Sequence, residues 1–226
     1  MTGDRLGTVR RHGKNLFAAR EKGGWLLMHF GMTGALEPFE DEPPAHARVI
    51  WRFARPPHLA YVNVRMLGLV GLIEDPDRYI EEHGLGPDAL DPRLTPAWFA
   101  EALGDSRRSI KAALMDQSLV AGLGNVYADE VLFQAGLRPD VPVNALDRRW
   151  RGELFHTMRR VLETAVAAGA ASERYTERLP EGFLTRVRGQ KGARCPKSGT
   201  ELATLKIGGR TTRYCPHCQI DPRRQG

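Results

Sequence analysis

Three cysteines near the end of the sequence have the spacing of metal ligands. Cys195 opens the segment and Cys215 and Cys218 close it, while Ser198 stands where a fourth cysteine would complete two C-x-x-C pairs. Zinc prefers four tetrahedral ligands from Cys, His, Asp or Glu, and a serine hydroxyl hardly ionises near neutral pH. Three interpretations are open: zinc held by three thiolates plus water or a group such as His217, a weakened site filled only at high zinc, or a hairpin that folds without metal. We favour the weakened site, because a short hairpin has little core of its own.

A second candidate site lies in residues 119–140, LVAGLGNVYADEVLFQAGLRPD. The pattern predicts a helix, a Gly-x-Gly-Asn turn and a second helix that begins at this turn. Backbone N–H groups and the Asn125 amide would then lie at a helix N-terminus, where a phosphate is well held. The alternative is an ordinary corner, in which the glycines only let two helices approach each other.

The positive charge of the chain lies at its C-terminal end. Residues 183–226 contain ten Lys or Arg and two acidic residues, so their net charge is +8. The first 182 residues have a net charge of −2, and the whole chain therefore has +6. A basic segment folded around cysteines favours binding of nucleic-acid phosphates. A solvated, solubilising tail is the alternative.

The composition also indicates the cellular compartment of the protein. No stretch approaches the roughly 20 apolar residues of a membrane span, and the chain does not open with a secretory sequence. Three clustered cysteines suit metal ligation in a reducing compartment better than a disulfide framework. We therefore expect a cytoplasmic protein without membrane association, and a monomer by default.

The elements that must position these residues begin with a β region. From residue 6 to residue 73, short alternating or apolar runs are separated by segments rich in turn residues. The runs are LGTVRR, LFAAR, WLLMHF, RVIWRF, LAYVNV and LVGLI, and the segment EPFEDEPP is assigned to a turn. Closely spaced strands predict a sandwich or a barrel.

From about residue 75 the pattern becomes helical. Proline near the start and glycine at the end mark two helices, DPDRYIEEHG and TPAWFAEALG. Apolar residues recur at i, i+3 and i+4 in SRRSIKAALMDQ, NVYADEVLFQAG and ALDRRWRGELFHTMRRVLETAVAAG. Near the C-terminus, two strand-like runs flank Gly208-Gly209, which predicts a β-hairpin.

The predicted fold class is α+β, with three domains. An antiparallel β-sandwich at residues 1–75 is followed by a helical domain at 76–172 and by a linker with a zinc-finger-like hairpin at 173–226. The linker is predicted at residues 173–184, which are polar and aperiodic.

The order of these parts resembles the formamidopyrimidine-DNA glycosylase and endonuclease VIII family of base-excision repair enzymes. The resemblance runs from about residue 5 to residue 220 and is carried by SIKAALMDQSLVAGLGNVYADEVLFQAGLRP and, in the finger, by RGQKGARC and GRTTRYCPHCQ. It implies a helix-two-turn-helix domain, a Zn²⁺ finger, and double-stranded DNA with damaged bases or abasic sites as the partner. In the family the reaction is excision of oxidised bases, followed by β- and δ-elimination at the abasic site.

The resemblance also implies roles for single residues. Asn125 would bind the phosphates at the lesion, and Lys111 would lie close to the damaged nucleotide and its backbone. Lys14, in RRHGKNL, would contact a phosphate, and Arg210 would lie in the minor groove against lesion-flanking phosphates. Without the resemblance, a solvent-exposed turn lysine describes Lys14 equally well.

Two loops of the β region match segments that enter the duplex in the family. HFGMTG places Met32 where a methionine fills the space of the flipped base, although a methionine alone is more often a core or turn residue. NVRMLG places Arg65 against the orphaned partner base and puts Leu67 where the family has a phenylalanine wedge. Leucine unstacks bases, but it stacks less well than an aromatic ring.

The family's catalytic pair, an N-terminal Pro-Glu, has no match in the opening letters MTGDRLGTVRRHGKN. In the family the proline amine attacks the sugar C1′ and forms a Schiff base. Three explanations are open: a truncated or misassigned start of an active enzyme, a fragment, or a non-catalytic lesion-binding relative. The catalytic residues are therefore unknown and enzymatic activity is an open question. Outside the family, the rival interpretation is a basic zinc-ribbon module that binds RNA or a protein.

Overall fold

The structure, a computed structural model, describes residues 2–170 and 174–224, without the side chain of residue 224. It divides into two compact units, Met1–His83 and Gly84–Gly226. The three-domain division stays a prediction, and residue 173 of the predicted linker lies outside the described residues. Nowhere in the described ranges is a helix long and apolar enough to cross a membrane.

The first unit contains seven strands in two antiparallel sheets. The strands are β1 (Leu6–His12), β2 (Asn15–Arg20), β3 (Trp25–His29), β4 (Ala35–Phe39), β5 (Ala47–Trp51), β6 (His58–Val62) and β7 (Leu69–Ile73). One sheet has the order β1-β2-β3-β7 and the other has the order β4-β6-β5. Ala18, Leu26 and Met28 of the first sheet are buried, and Leu36 and Trp51 of the second sheet pack against them. The unit is therefore a sandwich, as the sequence predicts.

Strand β4 corrects one sequence-based assignment. Its second half lies in the segment EPFEDEPP, which was assigned to a turn. Pro38 is opposite Leu59, and β4 is an outer strand of its sheet. Proline has no N–H to donate to a ladder, so an edge is where a strand tolerates it.

Within the described residues, five α-helices follow the strands. They are α1 (Pro76–Glu82), which belongs to the first unit, and α2 (Pro96–Leu103), α3 (Ile110–Leu114), α4 (Asn125–Gln134) and α5 (Arg148–Ala167) in the second. The first two helices begin where their prolines predict, and the Asp75 side chain caps α1 by accepting hydrogen bonds from the backbone N–H groups of Asp77 and Arg78. The Thr95 hydroxyl caps α2 in the same way.

The second unit has a helical core and a hairpin. Fully buried side chains from α2, α3, α4 and α5 form the core, among them Phe99, Ile110, Leu132, Leu154 and Met158. The hairpin consists of β8 (Ala203–Ile207) and β9 (Arg210–Tyr214). Gly208 and Gly209 between them have φ of 55° and 72°, as the predicted two-residue turn requires.

The base of the hairpin has a small core of its own. Leu202, Cys195 and Cys215 are buried together with Phe133 of α4. The finger therefore packs on the helix that begins at Asn125, and the two parts belong to one unit.

Candidate functional site

The Asn125 side chain is oriented from two sides at the start of α4. Its Oδ1 accepts a hydrogen bond from Lys111 Nζ at 2.7 Å, and its Nδ2 donates to the Thr211 carbonyl at 3.2 Å. Gly124, the residue before the helix, supplies no side-chain cap. The first N–H groups of a helix have no intrahelical acceptors, so they and the amide form one donor-rich surface.

Lys111, which supports this amide, is fully buried. Three acceptors lie around its Nζ: Asn125 Oδ1 and Thr212 Oγ1, both at 2.7 Å, and Asp129 Oδ1 at 2.6 Å. The contacts with Asn125 and Thr212 are hydrogen bonds, whereas the contact with Asp129 Oδ1 is an ion pair without hydrogen-bond geometry. Burial lowers the pKa of Lys111, and the nearby Asp129 carboxylate opposes that shift. The geometry makes Lys111 a support for Asn125.

Asp129 completes what we call the Asn125 network, defined as Lys111, Asn125, Asp129, Arg188 and Thr212. The Asp129 carboxylate is fully buried one helical turn after Asn125. Its Oδ2 accepts hydrogen bonds from Arg188 Nη2 at 2.6 Å and from the backbone N–H of Arg213 at 3.1 Å. One carboxylate therefore joins α3, α4, β9 and the segment that precedes the finger.

Glu130, the residue after Asp129 in α4, binds the segment that precedes the finger. Glu130 is fully buried and accepts hydrogen bonds from the backbone N–H groups of Leu184 and Thr185, from the Thr185 hydroxyl and from Gln134. Burial raises the pKa of Glu130, although these four donors favour its charged form. The carboxyl group thus fixes the chain just before Arg188.

Arg210 lies in the same region of the second unit. It is exposed at the first position of β9, directly after the glycine turn. It precedes Thr211, whose carbonyl accepts a hydrogen bond from Asn125, and its charge contributes to the lowered pKa of Lys111. Three of the predicted site residues, Lys111, Asn125 and Arg210, are therefore brought together by the fold.

The cysteines form a cluster of metal-ligand geometry. The sulfur atoms of Cys195, Cys215 and Cys218 lie within 4.8 Å of one another, with Cys195 and Cys218 Sγ at 3.7 Å. Ser198 Oγ is 3.4 Å from Cys215 Sγ. A tetrahedral zinc with Zn–S of about 2.3 Å implies S–S edges of roughly 3.8 Å and S–O edges of roughly 3.6 Å. The donor set therefore fits a centre of three sulfurs and one oxygen.

The surroundings of the cluster favour a thiolate at Cys195 and disfavour one at Cys218. Burial would raise the pKa of Cys195, but hydrogen bonds from the Ser198 side chain and from the N–H groups of Ser198 and Lys197 lower it to about 7. Burial raises the pKa of Cys218 to about 11. His217, one of the groups considered from the sequence, is exposed and does not belong to the cluster.

In the first unit, the predicted insertion residues meet in two loops, residues 30–34 and 63–68, which we call the paired loops. Arg65 Nη1 is 3.5 Å from Met32 Sδ, and the Arg65 backbone N–H donates to Thr33 Oγ1 at 3.4 Å. Met32 and Leu67 are exposed by 41% and 59%. The fold therefore presents both apolar side chains to the outside.

Lys14 lies near the same loops. It is exposed in the turn between β1 and β2. Burial, and then the charge of Lys14, lower the pKa of His29, whose Nδ1 accepts the backbone N–H of Gly31 at 3.1 Å. His29 is thus a neutral acceptor that supports the first of the paired loops.

Sequence reasoning missed three residues of these sites. Asp129 is four positions after Asn125, so helical periodicity could have placed both on one face. Arg188 is 59 positions from Asp129, and no spacing rule connects them. Met66 lies between Arg65 and Leu67 and is 68% exposed, more than Leu67.

Comparison with known proteins identifies two matching family models. The formamidopyrimidine-DNA glycosylase N-terminal domain matches residues 1–70, and the H2TH domain of formamidopyrimidine-DNA glycosylase matches residues 85–177. A curated relative, the formamidopyrimidine-DNA glycosylase of Synechococcus elongatus, is 36% identical over 228 residues, which cover 95% of this chain and 80% of the relative.

Solved structures show the same similarity. The formamidopyrimidine-DNA glycosylase of Lactococcus lactis, bound non-covalently to DNA that contains an AP site, superimposes with a TM-score of 0.84 at 29% identity and covers 97% of this chain and 83% of that one. The corresponding protein of Thermus thermophilus gives a TM-score of 0.80 at 36% identity, with coverages of 97% and 84%.

Proposed function

The chain belongs to the formamidopyrimidine-DNA glycosylase family, and from this premise we propose that it binds damaged or abasic double-stranded DNA in base-excision repair. The observation that carries the proposal is the buried support of Asn125. A lysine, an aspartate and an arginine are held inside the protein to fix one amide at a helix N-terminus.

Phosphate is the ligand that this geometry suits. The contacts of Asn125 with Lys111 and Thr211 leave one N–H of its amide unused, beside the first N–H groups of α4. Two cations, Lys111 and Arg188, contact the buried Asp129 carboxylate, and the charge of Arg210 acts on Lys111 as well, so cations outnumber the carboxylate that they share. In this proposal Asn125 and Arg210 contact phosphates, and Lys111 acts through Asn125.

The first unit supplies the contacts with bases. We assign Met32 and Leu67 to the space opened in the duplex and Arg65 to the partner base, because the paired loops expose these side chains together. Lys14 is assigned to a phosphate. Extruding a base costs a few kcal/mol of unstacking, which apolar side chains partly offset.

We further propose that the finger binds zinc through Cys195, Cys215 and Cys218, with an oxygen donor at Ser198. Zinc would supply structural cross-linking of the hairpin base. A neutral hydroxyl is a weaker donor than a thiolate, so we infer a site of reduced affinity. The three-domain division, a cytoplasmic location and a monomeric state belong to the same proposal.

Catalysis is the part of the function for which we assign no residue. Lys111 is a poor nucleophile here, because it is buried, donates two hydrogen bonds and is paired with the Asp129 carboxylate. The family reaction passes through a Schiff base with an amine, which borohydride reduction would trap as a covalent adduct.

The proposal is tested by mixing the chain with a duplex that carries one abasic site and with a matched intact duplex, with and without borohydride. We expect a shifted complex that prefers the abasic duplex and weakens steeply with salt. An adduct would establish a reactive amine and hence the enzyme, and a preference without an adduct would establish a non-catalytic lesion binder. Equal affinity for both duplexes would overturn the proposal and favour the RNA- or protein-binding module.

A further inference from the structure

Met66 combines two unfavourable properties. Its side chain is 68% exposed, and its backbone has a φ of 53°, a left-handed conformation that non-glycine residues rarely adopt. A methionine in that place contributes little burial to its own unit. Strain and apolar exposure at one residue persist only where the surrounding structure imposes them, and they are common at functional sites.

The surroundings do impose this backbone. A Cβ on Gly68 would lie 1.7 Å from Tyr61 Oη, and a Cβ on Gly31 would lie 2.7 Å from the Leu67 carbonyl oxygen, so the paired loops approach each other through glycine. The Tyr61 hydroxyl donates to the His29 carbonyl at 2.8 Å and accepts from Asn63 Nδ2 at 2.9 Å. These contacts hold residues 63–68 without help from the Met66 side chain.

The exposed residues of this segment are apolar around one cation. Val64, Met66 and Leu67 are exposed by 53%, 68% and 59%, and Arg65 lies among them. A cation next to exposed apolar side chains suits a ligand with apolar faces and a negatively charged frame. Stacked bases on a phosphate backbone have this chemistry.

We propose that Met66 is a second insertion residue, which enters the base stack beside Leu67 when a damaged site is bound. This inference rests on the proposed function, and it assigns a role to a residue that the sequence resemblance left without one. Methionine suits the role because its unbranched side chain adapts to an irregular apolar space. The paired loops then act as a wedge with Met66 and Leu67 on the second loop and Met32 on the first.

The test compares three variants on a duplex with one abasic site and a fluorescent 2-aminopurine opposite it. Met66→Gly removes the side chain and also relieves the backbone strain, so its unfolding midpoint should be unchanged or higher. Met66→Leu keeps an apolar side chain. Ile50→Ala is the matched control, because Ile50 is an exposed apolar residue of strand β5 in the same unit.

Met66→Gly should lower the preference for abasic over intact duplex by about tenfold, the scale of one lost stacking contact, and should reduce the rise in 2-aminopurine fluorescence. Met66→Leu and Ile50→Ala should behave as the wild type. An unchanged preference and fluorescence in Met66→Gly would overturn the inference, as would an equal loss of affinity for both duplexes. If the wild type itself showed no preference, the proposed function would fail instead.

Discussion

The Asn125 network and the paired loops position their functional side chains in opposite ways. In the network, charged side chains are buried so that one amide is held still: Lys111 and the Asp129 carboxylate are fully buried. In the paired loops, the backbone is braced by Tyr61, Asn63 and two glycines, and the side chains that matter remain exposed.

The difference follows from the chemistry of the two ligands. A hydrogen bond to a phosphate depends on direction and distance, so the donor must be oriented in advance. Insertion into a base stack depends on apolar area and shape, so a side chain can remain free until it is covered. Substitutions in the Asn125 network should therefore change the folding stability, whereas substitutions in the paired loops should change only DNA binding.

The largest effect is expected for Asp129→Asn. The change leaves the buried Lys111 and the partly buried Arg188 without their carboxylate, which should lower the free energy of unfolding of the second unit by about 3–5 kcal/mol. Urea denaturation measures this. The control is Asp140→Asn, because the Asp140–Arg138 pair is 40% exposed on its acidic side and its loss should cost less than about 1 kcal/mol. Similar losses for both variants would contradict a special role of the network.

Asn125→Ala should separate binding from folding within the network. It should weaken binding to abasic duplex by about 1–3 kcal/mol, because a hydrogen bond to a charged group is lost. The free energy of unfolding should fall by only about 1 kcal/mol, since Lys111 keeps its hydrogen bond to Thr212 and its ion pair with Asp129. Titration of labelled duplex gives the affinity, and Asn144→Ala, at an exposed position of the same unit, is the control. Unchanged affinity would remove Asn125 from the interface.

Ser198→Cys tests the finger that the network touches. A fourth thiolate should raise the affinity for Co²⁺ or Zn²⁺ by at least about tenfold, roughly 1.4 kcal/mol. Competition with a chromophoric chelator measures it, and Ser118→Cys adds a thiol at an exposed serine elsewhere in the unit. Equal affinities in all three proteins would exclude Ser198 as a donor position.

Leu67→Phe tests the paired loops from the binding side. The aromatic ring should stack better and strengthen binding to abasic duplex by about 0.5–1 kcal/mol. Because Leu67 is 59% exposed, the unfolding midpoint should not move. Leu72→Phe, at another exposed leucine of the unit, should leave the affinity as it is. A loss of stability in Leu67→Phe would mean that the loop is packed more tightly than its exposure indicates.

The smallest effect is a pH dependence of the first unit. The pKa of His29 is lowered in the folded state by burial and by Lys14. Below about pH 6.5, His29 is therefore protonated in the unfolded chain at pH values where it stays neutral in the folded chain. Stability should therefore fall as the pH drops below that value. His29→Gln should flatten this part of the plot of unfolding free energy against pH. An unaltered slope in His29→Gln would assign the acid sensitivity to other groups.

The sequence predicted those parts of the fold that depend on local chemistry. Asp75 and Thr95 cap helices where their proline neighbours indicated, and Gly208-Gly209 forms the expected turn. Strand β4 was missed because Pro38 suggests a turn, and only its place at a sheet edge makes the proline acceptable.

For the site, the sequence supplied some of the residues but not their arrangement. The resemblance named Asn125 and Lys111 separately, whereas the structure shows one holding the other. Arg188 and Thr212 reach Lys111 or Asp129 from distant parts of the chain, and such contacts depend on tertiary packing rather than on periodicity. Met66 was missed because its exposure and its positive φ are properties of the folded backbone.

Strand β9 contacts the Asn125 network and also leads into the cysteine cluster, which couples the two sites thermodynamically. Thr211, Thr212 and Arg213 bond to Asn125, Lys111 and Asp129, and the same strand runs directly into Cys215. Anything that orders the hairpin base therefore favours the oriented amide, and by linkage a phosphate held by the amide favours the ordered base by the same factor. Metal binding and DNA binding then favour the same ordered state of the hairpin base. Lesion DNA should therefore slow the release of metal to a chelator.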